Sequence, residues 1–283
     1  MPSEHTCIKS EPRPTVIYRH PAAVRLTHWI GVICVLLLLA SGLQIFNAHP
    51  ALYFGQASDF AHPVASIGAT QENGHQIGFV EIDGRRLDTT GFLGAFGPLD
   101  QDQRAFPAWA TLPSNQDLAT GRRWHFFFAW LLVADGLIYL FYSLVSGHLW
   151  FNLVPTARQL RQIGQSIREH LLLRFPRGER AKRYNVLQKL SYLVILFIVV
   201  PLLILTGLTM SPGLDAAIPF LADMLGGRQT ARTIHFICAF TLVAFVIIHI
   251  VMVLVSGVWN NMRSMITGWY VIKLETPPHE HAS

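Results

Sequence analysis

The sequence predicts an all-α membrane protein: a bundle of four transmembrane helices with a long extracytoplasmic loop and a cytoplasmic amphipathic helix. Composition is the first reason, because 51% of the 283 residues are hydrophobic, 14% are charged and the mean hydropathy is +0.36. A soluble domain is about 25% charged. The second reason is that four apolar runs approach or exceed the roughly 18 to 20 residues that a helix needs to cross the hydrocarbon core.

The four predicted helices cover approximately residues 28–46, 124–146, 186–210 and 233–258. The first run is too long for the apolar region of a signal peptide and has no small-residue cleavage site, so we expect a retained helix. No internal repeat is evident on inspection. We therefore expect a single membrane domain over residues 1–283.

The distribution of basic residues predicts the orientation in the membrane. The segment between the second and third helices is rich in Arg and Lys: Arg158, Arg161, Arg168, Arg174, Arg177, Arg180, Lys182 and Arg183. The long segment between the first and second helices is net acidic. The positive-inside rule then places both termini and the basic segment in the cytoplasm. Because the basic residues lie beside membrane helices, the expected partner is anionic lipid and not nucleic acid.

Two connecting segments are predicted to have structure of their own. Residues 155–173 place aliphatic side chains on one face and arginines on another, which predicts an amphipathic helix in the cytoplasmic interface, although Gly164 weakens it. The loop 47–121 is too long for a bare connection. Asp83-Gly84 between β-prone flanks predicts a short hairpin there. We expect the loop to cap the bundle and to dock a partner.

Four histidines occur at positions that suit two haem sites. His235 and His249 lie on one helix, and their fourteen-residue separation places them roughly 21 Å apart along its axis and within about 40° of each other. His28 begins the first helix at the depth of His249, and His125 begins the second at the depth of His235. Two level pairs of imidazoles are what two bis-histidine haems require. With no CxxCH motif, covalent c-type haem is excluded.

Arginines and small residues accompany these histidines. The arginines lie within about a turn of a histidine and are candidates for pairing with haem propionates: Arg25, Arg122, Arg123 and Arg232. The alternative is that they reach lipid headgroups. The small residues lie one turn from a histidine and leave room for a flat ring: Gly31, Ala129 and Ala239. The remaining histidines, which include His20, His49 and His148, are assigned no role.

The stretches "VRLTHWIGV", "RRWHFFFAWLL", "RYNVLQKLSYLVIL" and "ARTIHFICAFTLVAFVIIHIVMV" resemble the bacterial cytochrome b561 and nickel-hydrogenase b-type cytochrome superfamily. The resemblance covers all four helices and implies a bacterial inner-membrane protein with two haem b groups. It implies four axial ligands: His28, His125, His235 and His249. The acidic loop is longer than we expect in hydrogenase subunits and is more similar to cytochromes that accompany molybdopterin oxidoreductases. The implied extracytoplasmic partner is a molybdopterin oxidoreductase, a hydrogenase or a cytochrome c-like protein.

The segment "RYNVLQK" before the third helix resembles the quinone pocket of formate dehydrogenase-like members of the superfamily. In that pocket an Asn/Gln pair lies next to the cytoplasmic haem. The resemblance implies a quinone site at Asn185, Gln188 and Lys189. The residues alone leave open that Asn185 caps the helix and that Lys189 reaches headgroups.

The expected function is that of a dihaem cytochrome b moving electrons between an extracytoplasmic redox partner and the quinone pool. One alternative is a stand-alone quinol or superoxide oxidoreductase of the same superfamily. Another is a haem-free transporter or proton channel that uses the histidines and Asp135 as relay groups. An intramembrane carboxylate is a functional candidate by default. For Asp135 we favour a neutral acid hydrogen-bonded to a neighbouring helix.

Overall fold

The computed structural model describes residues 15–97, 102–171 and 186–272. Four helices in these ranges are long and apolar enough to cross a membrane, and we refer to them as the first to fourth spans: Ala22–Asn47, Leu118–Val145, Val186–Thr209 and Arg228–Val255. The predicted four membrane helices are confirmed, and the chain is a multi-pass membrane protein. Few side chains of the spans are buried within the chain, so most of their apolar surface faces outward, where a bilayer supplies lipid.

Three of the four spans begin at least one turn before the predicted starts. The second span shows the cause: Asp117 caps it, accepting a hydrogen bond of 3.0 Å from the backbone N–H of Thr120. Capping and the polar first turns lie outside the apolar run, so hydropathy does not detect them. The first span packs mainly on the second, and the third mainly on the fourth.

The second and fourth spans are copies of one pattern. Residues 122–147 and 232–257 carry identical residues at 12 of 26 aligned positions, including the histidines His125 and His235. Both copies end in the tetrapeptide LVSG, whose glycine has a positive φ of 70° at Gly147 and 107° at Gly257. The prediction that the chain has no internal repeat is therefore wrong.

The first and third spans repeat in the same way with one insertion. Residues 26–28 read Leu-Thr-His and residues 190–192 read Leu-Ser-Tyr, an offset of 164, whereas Ser41-Gly42 matches Thr206-Gly207 at an offset of 165. The third span contains a π-helical turn at Ile195–Val199. A π turn accommodates one extra residue within a helix. The π turn thus brings the two patterns back into register.

The loop between the first and second spans contains β structure, so the all-α prediction applies to the spans only. Four antiparallel strands pair in the order β2 (Ala51–Leu52), β3 (Ala65–Glu72), β4 (His75–Ile82) and β5 (Arg85–Asp88). β6 (Gly94–Phe96) and β7 (Asp102–Arg104) form a separate hairpin.

The turns that connect β3 with β4 and β4 with β5 are both two-residue hairpin turns. The predicted hairpin at Asp83-Gly84 is present, with φ of 48° and 73°. A second one, at Asn73-Gly74, has φ of 51° and 83°. Positive φ at both central residues is typical of the type I′ turn, which the sequences Asn-Gly and Asp-Gly favour.

The loop lies against the ends of the spans on one side, which we call the loop side. Phe46, Leu52, Ala105 and Phe106 form a buried cluster that also contacts Phe236 of the fourth span. Thr233 donates a hydrogen bond of 2.7 Å to the backbone carbonyl of Tyr53. The loop therefore covers the loop-side ends of the first and fourth spans.

The two ends of the described chain meet on the opposite side, which we call the termini side. Strand β1 (Thr15–Tyr18) pairs antiparallel with β8 (Trp269–Ile272), and a helix at Val258–Thr267 precedes β8. The predicted amphipathic helix is divided by Gln162 into helices Ala157–Arg161 and Ile163–Leu171. Gly164, the residue expected to weaken the predicted helix, lies inside the helix Ile163–Leu171. The predicted end at residue 173 lies outside the described residues.

Candidate histidine pairs between the spans

The structure brings the four predicted histidines together as two pairs. His125 and His235 form the loop-side pair, with ring centroids 6.2 Å apart and rings inclined by 59°. His28 and His249 form the termini-side pair, with centroids 6.4 Å apart and rings inclined by 56°. This pairing, including the contribution of the fourth span to both pairs, is the one that depth along the helices predicts.

The separation within each pair fits two imidazoles on opposite faces of one metal ion. A metal–imidazole bond is about 2.0 Å long, so two trans ligands place their ring centroids roughly 6 Å apart. In the described ranges, no three His, Cys, Asp or Glu side chains converge to hold a bare metal ion. Two imidazoles alone suit an iron whose remaining ligands come from a porphyrin. The residues present therefore fit haem b.

Each histidine of the loop-side pair contacts a hydroxyl of an adjacent span. The Nδ1 of His125 lies 3.1 Å from Oγ of Ser41, and the Nδ1 of His235 lies 3.0 Å from Oγ1 of Thr206. Both hydroxyl residues are fully buried at 0% exposure. The ring nitrogen Nε2 of each histidine is then the one available to a metal. The sequence interpretation missed both hydroxyl residues.

Glycines allow the same two rings to approach the neighbouring helices. A Cβ added at Gly42 would lie 3.3 Å from Cε1 of His125, and one added at Gly207 would lie 3.5 Å from Cε1 of His235. Each glycine directly follows the hydroxyl residue that contacts the ring. The tripeptides Ser41-Gly42-Leu43 and Thr206-Gly207-Leu208, read as a repeat, were the signal for this arrangement.

The termini-side pair has different surroundings. The Nδ1 of His28 is buried and, among the described residues, has no hydrogen-bond partner. His28 meets Trp29 edge-on at 5.3 Å, and His249 stacks on Phe245 at 6.0 Å. Tyr192 lies 6.4 Å from His249. Aromatic contacts therefore hold these rings, in contrast to the hydroxyl contacts of the loop-side pair.

The four predicted arginines divide into two kinds. Arg25 donates to the carbonyl of Ile266 at the termini side, and Arg232 donates to the carbonyl of His49 at the loop side. Arg122 lies over the ring of Phe126 at 5.9 Å and, with Arg123, lines a shallow surface cavity of about 450 Å³. Arg25 and Arg232 bridge separate elements, whereas Arg122 and Arg123 lie at the surface of the second span.

The small residue Gly31 has a neighbour that the sequence did not indicate. A Cβ added at Gly31 would lie 3.7 Å from Oδ2 of Asp135 on the second span. Asp135 is buried, at 7% exposure. Gly31 therefore makes room for this carboxyl group, and the side chain of Asp135 faces the first span and not lipid.

The predicted quinone residues are partly described. The Nε2 of Gln188 donates to the hydroxyl of Tyr192 at 2.8 Å. Lys189 is buried and its Nζ donates to the carbonyl of Val154 at 3.4 Å, so this side chain does not extend to the headgroups. Asn185 lies outside the described residues. Gln188, through Tyr192, connects this segment with His249 of the termini-side pair.

Three histidines without a predicted role lie close to the two sites. Burial, with Arg19 nearby, lowers the pKa of His20 to about 4. Burial also lowers the pKa of His148, and burial with the adjacent Arg232 lowers the pKa of His49. All three imidazoles are therefore neutral at pH 7. The ring of His49 stacks on Tyr53 at 5.6 Å, and its buried Nε2 has no partner among the described residues.

Comparison with known proteins identifies the family of the chain. A family model described as prokaryotic cytochrome b561 matches residues 19–268. A curated relative, the putative protein-methionine-sulfoxide reductase subunit YedZ1 of Azospira oryzae, is 30% identical over 249 residues, which cover 88% of this chain and 96% of the relative. No solved structure matches the chain.

Proposed function

The chain belongs to the prokaryotic cytochrome b561 family, and on that premise we propose that it is a dihaem cytochrome moving electrons across a bacterial inner membrane. Membership makes it a membrane electron-transfer protein that binds haem b. The proposed route connects the quinone pool on the termini side with a redox protein on the loop side. The cytoplasm is on the termini side, as the basic residues indicate.

The observation that carries the proposal is the presence of two imidazole pairs with the same internal spacing. Their ring centroids are 6.2 and 6.4 Å apart. The fourth span contributes one histidine to each pair, and fourteen residues of helix separate the two by roughly 21 Å along its axis. Two haems held at these depths would allow electron transfer in two steps across the bilayer, whereas a single haem would span only half of its thickness.

The bound haems supply reversible one-electron chemistry, and the chain supplies ligation, orientation and a surrounding of low dielectric. His125 and His235 would hold the loop-side haem, and His28 and His249 would hold the termini-side haem. Arg232 and Arg25 lie at the corresponding membrane edges, where a guanidinium would pair with propionate carboxylates. We assign the surface residues Arg122 and Arg123 a secondary part in this pairing.

The partner on the loop side is proposed to be a soluble reductase. The relative from Azospira oryzae is named as a subunit of a protein-methionine-sulfoxide reductase. An electron-transfer subunit of such an enzyme would deliver electrons to the subunit that reduces the substrate. By analogy, electrons in this protein run from quinol to a loop-side oxidoreductase. A molybdopterin enzyme is our first choice, ahead of a hydrogenase or a cytochrome c-like protein.

The quinone site is proposed beside the termini-side pair, at Asn185, Gln188 and Lys189. The hydrogen bond from Gln188 to Tyr192 and the contact of Tyr192 with His249 support this position. A quinol bound there would lie beside His28 and His249, the residues that would hold the haem nearer to it. Electron transfer from there to the loop side would move negative charge out of the cytoplasm, which an inside-negative membrane potential favours by about 2.3 kcal/mol per charge per 100 mV.

Haem quantification tests the proposed function. The purified protein should contain two non-covalent haem b groups per chain, measured by pyridine haemochrome and by a reduced-minus-oxidised spectrum. A His75→Leu variant is the matched control, because His75 is an exposed histidine of the loop. A colourless protein would support the transporter or channel alternative, and one haem per chain would contradict the dihaem proposal.

A further inference from the structure

We infer that Ser41 and Thr206 are positioning residues that fix the tautomer of the loop-side histidines and lower the reduction potential of the haem between them. The inference rests on the proposed function, since it assumes that His125 and His235 bind haem iron. It adds two residues that act on the iron through its ligands. Neither hydroxyl contacts the metal position itself.

The hydrogen bonds of the hydroxyl groups determine where the imidazole protons are. Ser41 donates its only hydroxyl proton to the carbonyl of Leu37 at 2.7 Å. Its oxygen can therefore only accept from His125, whose Nδ1 lies 3.1 Å away. His125 must carry its proton on Nδ1, which leaves the lone pair of Nε2 for the metal.

Thr206, which corresponds to Ser41 in the internal repeat, has the same pattern of hydrogen bonds. Thr206 donates to the carbonyl of Leu202 at 2.5 Å and accepts from Nδ1 of His235 at 3.0 Å. The backbone carbonyls of Leu38 and Leu203 lie close to the rings of His125 and His235 respectively. The duplication on two spans, each with a glycine following the hydroxyl residue, indicates a built feature and not a chance contact.

The internal repeat does not extend this feature to the termini side. Position 28 in the first span corresponds to Tyr192 in the third, and position 139 in the second span corresponds to His249 in the fourth. His28 has its Nδ1 buried without a partner among the described residues. The two haem sites therefore differ in the hydrogen bonding of their ligands. The hydroxyl contacts occur at the loop-side site, which is on the side proposed for the partner.

A hydrogen bond from Nδ1–H raises the basicity of a histidine ligand. A more basic ligand stabilises ferric iron more than ferrous iron, so it lowers the reduction potential. A lower potential at the loop-side haem makes that haem a stronger donor to the docked partner. Loss of either hydroxyl should raise the potential of this haem.

The experiment is redox titration of Ser41→Ala, Thr206→Val and the double variant in the purified holoprotein. Each single variant should keep both haems. At a fixed applied potential, the ferric-to-ferrous ratio of one haem should fall about threefold. For a one-electron couple this fall corresponds to a shift of about 30 mV towards positive potential. The double variant should show a larger shift. The haem whose potential shifts should be the one that His125→Leu removes or alters.

Matched controls separate this role from helix packing. Thr209 is buried one turn from Thr206 on the same span and donates only to the carbonyl of Thr206, so Thr209→Val should leave both potentials unchanged. The exchanges Ser41→Thr and Thr206→Ser keep the accepting oxygen and should retain the wild-type potential. Equal potentials in the double variant and in Thr209→Val would overturn the inference. Two haems with unaltered spectra and potentials in His125→Leu would instead show that the proposed ligation is wrong.

Discussion

His235 and His249 share one helix, but each pairs with a histidine of a different span. Single substitutions should therefore affect one haem at a time. His235→Leu and His125→Leu should each remove or alter only the loop-side haem, because an iron that loses one axial ligand becomes five-coordinate or loses its haem. His249→Leu and His28→Leu should affect only the termini-side haem. Redox titration and haem content of the four variants measure this.

The pattern of pairing decides the result of these four variants. Reduction by a quinol analogue should persist at the remaining haem of His235→Leu and fail in His249→Leu. If His125→Leu shared its spectrum and its titration with His249→Leu, the pairing inferred from the ring distances would be incorrect. Exposed His75→Leu again serves as the control.

Gly42 offers a steric test of the loop-side site. A Cβ there would lie 3.3 Å from the ring of His125, and the branched side chain of Gly42→Val would force the ring to move. We expect Gly42→Val to lower the occupancy of the loop-side haem and to leave the termini-side haem intact. Gly136→Val in the second span is the control, since nothing lies within 4 Å of a Cβ at that position. Equal haem content in the two variants would contradict the expectation.

At the scale of elements, the start of the third span is where we place the quinone. The double variant Asn185→Leu, Gln188→Leu removes two amide groups, and with them the hydrogen bond from Gln188 to Tyr192. Electron exchange with quinol analogues should slow while haem content stays at the wild-type value. Ser191→Ala, which removes an exposed hydroxyl one turn away, is the control. Unchanged quinol turnover would place the quinone elsewhere.

We call the four-stranded sheet β2 to β5 the loop sheet, and it is the element that we expect to dock the partner. Replacing Ala65–Asp88, which contains β3 to β5, by a short Gly/Ser linker removes most of the sheet. Both histidine pairs lie on the spans, so both haems should remain, but co-purification with the loop-side redox protein should be lost. Pull-down with haem quantification of the same sample measures both properties. Retained co-purification would limit the sheet to covering the bundle.

At the scale of the whole molecule, the pairing of β1 with β8 requires both ends of the described chain to lie on one side of the membrane. Alkaline phosphatase fused after residue 272 should be inactive, because the termini side is expected in the cytoplasm. The same enzyme inserted at Asn73-Gly74, in a turn of the loop sheet, should be active. The reverse result would invert the proposed orientation and the proposed positions of quinone and partner.

The sequence by itself determined the four spans and the four histidines. Spans are determined locally, because a helix that crosses a bilayer needs about 20 apolar residues in a row. Polar residues inside such runs are rare, so His249 was conspicuous. The repeat of residues 122–147 at 232–257 was also readable from the sequence. It was missed because hydropathy treats each run separately and does not compare two runs position by position.

Only the tertiary structure decided which groups surround the histidines. The contacts of Ser41 with His125 and of Thr206 with His235 join residues 84 and 29 positions apart in the chain. Hydropathy gives no account of such pairs, because a buried Ser or Thr in an apolar run is by default bonded to its own helix. The strand pairing of β1 with β8 is more distant still. These long-range contacts depend on how the spans pack, and the hydropathy of each run does not encode them.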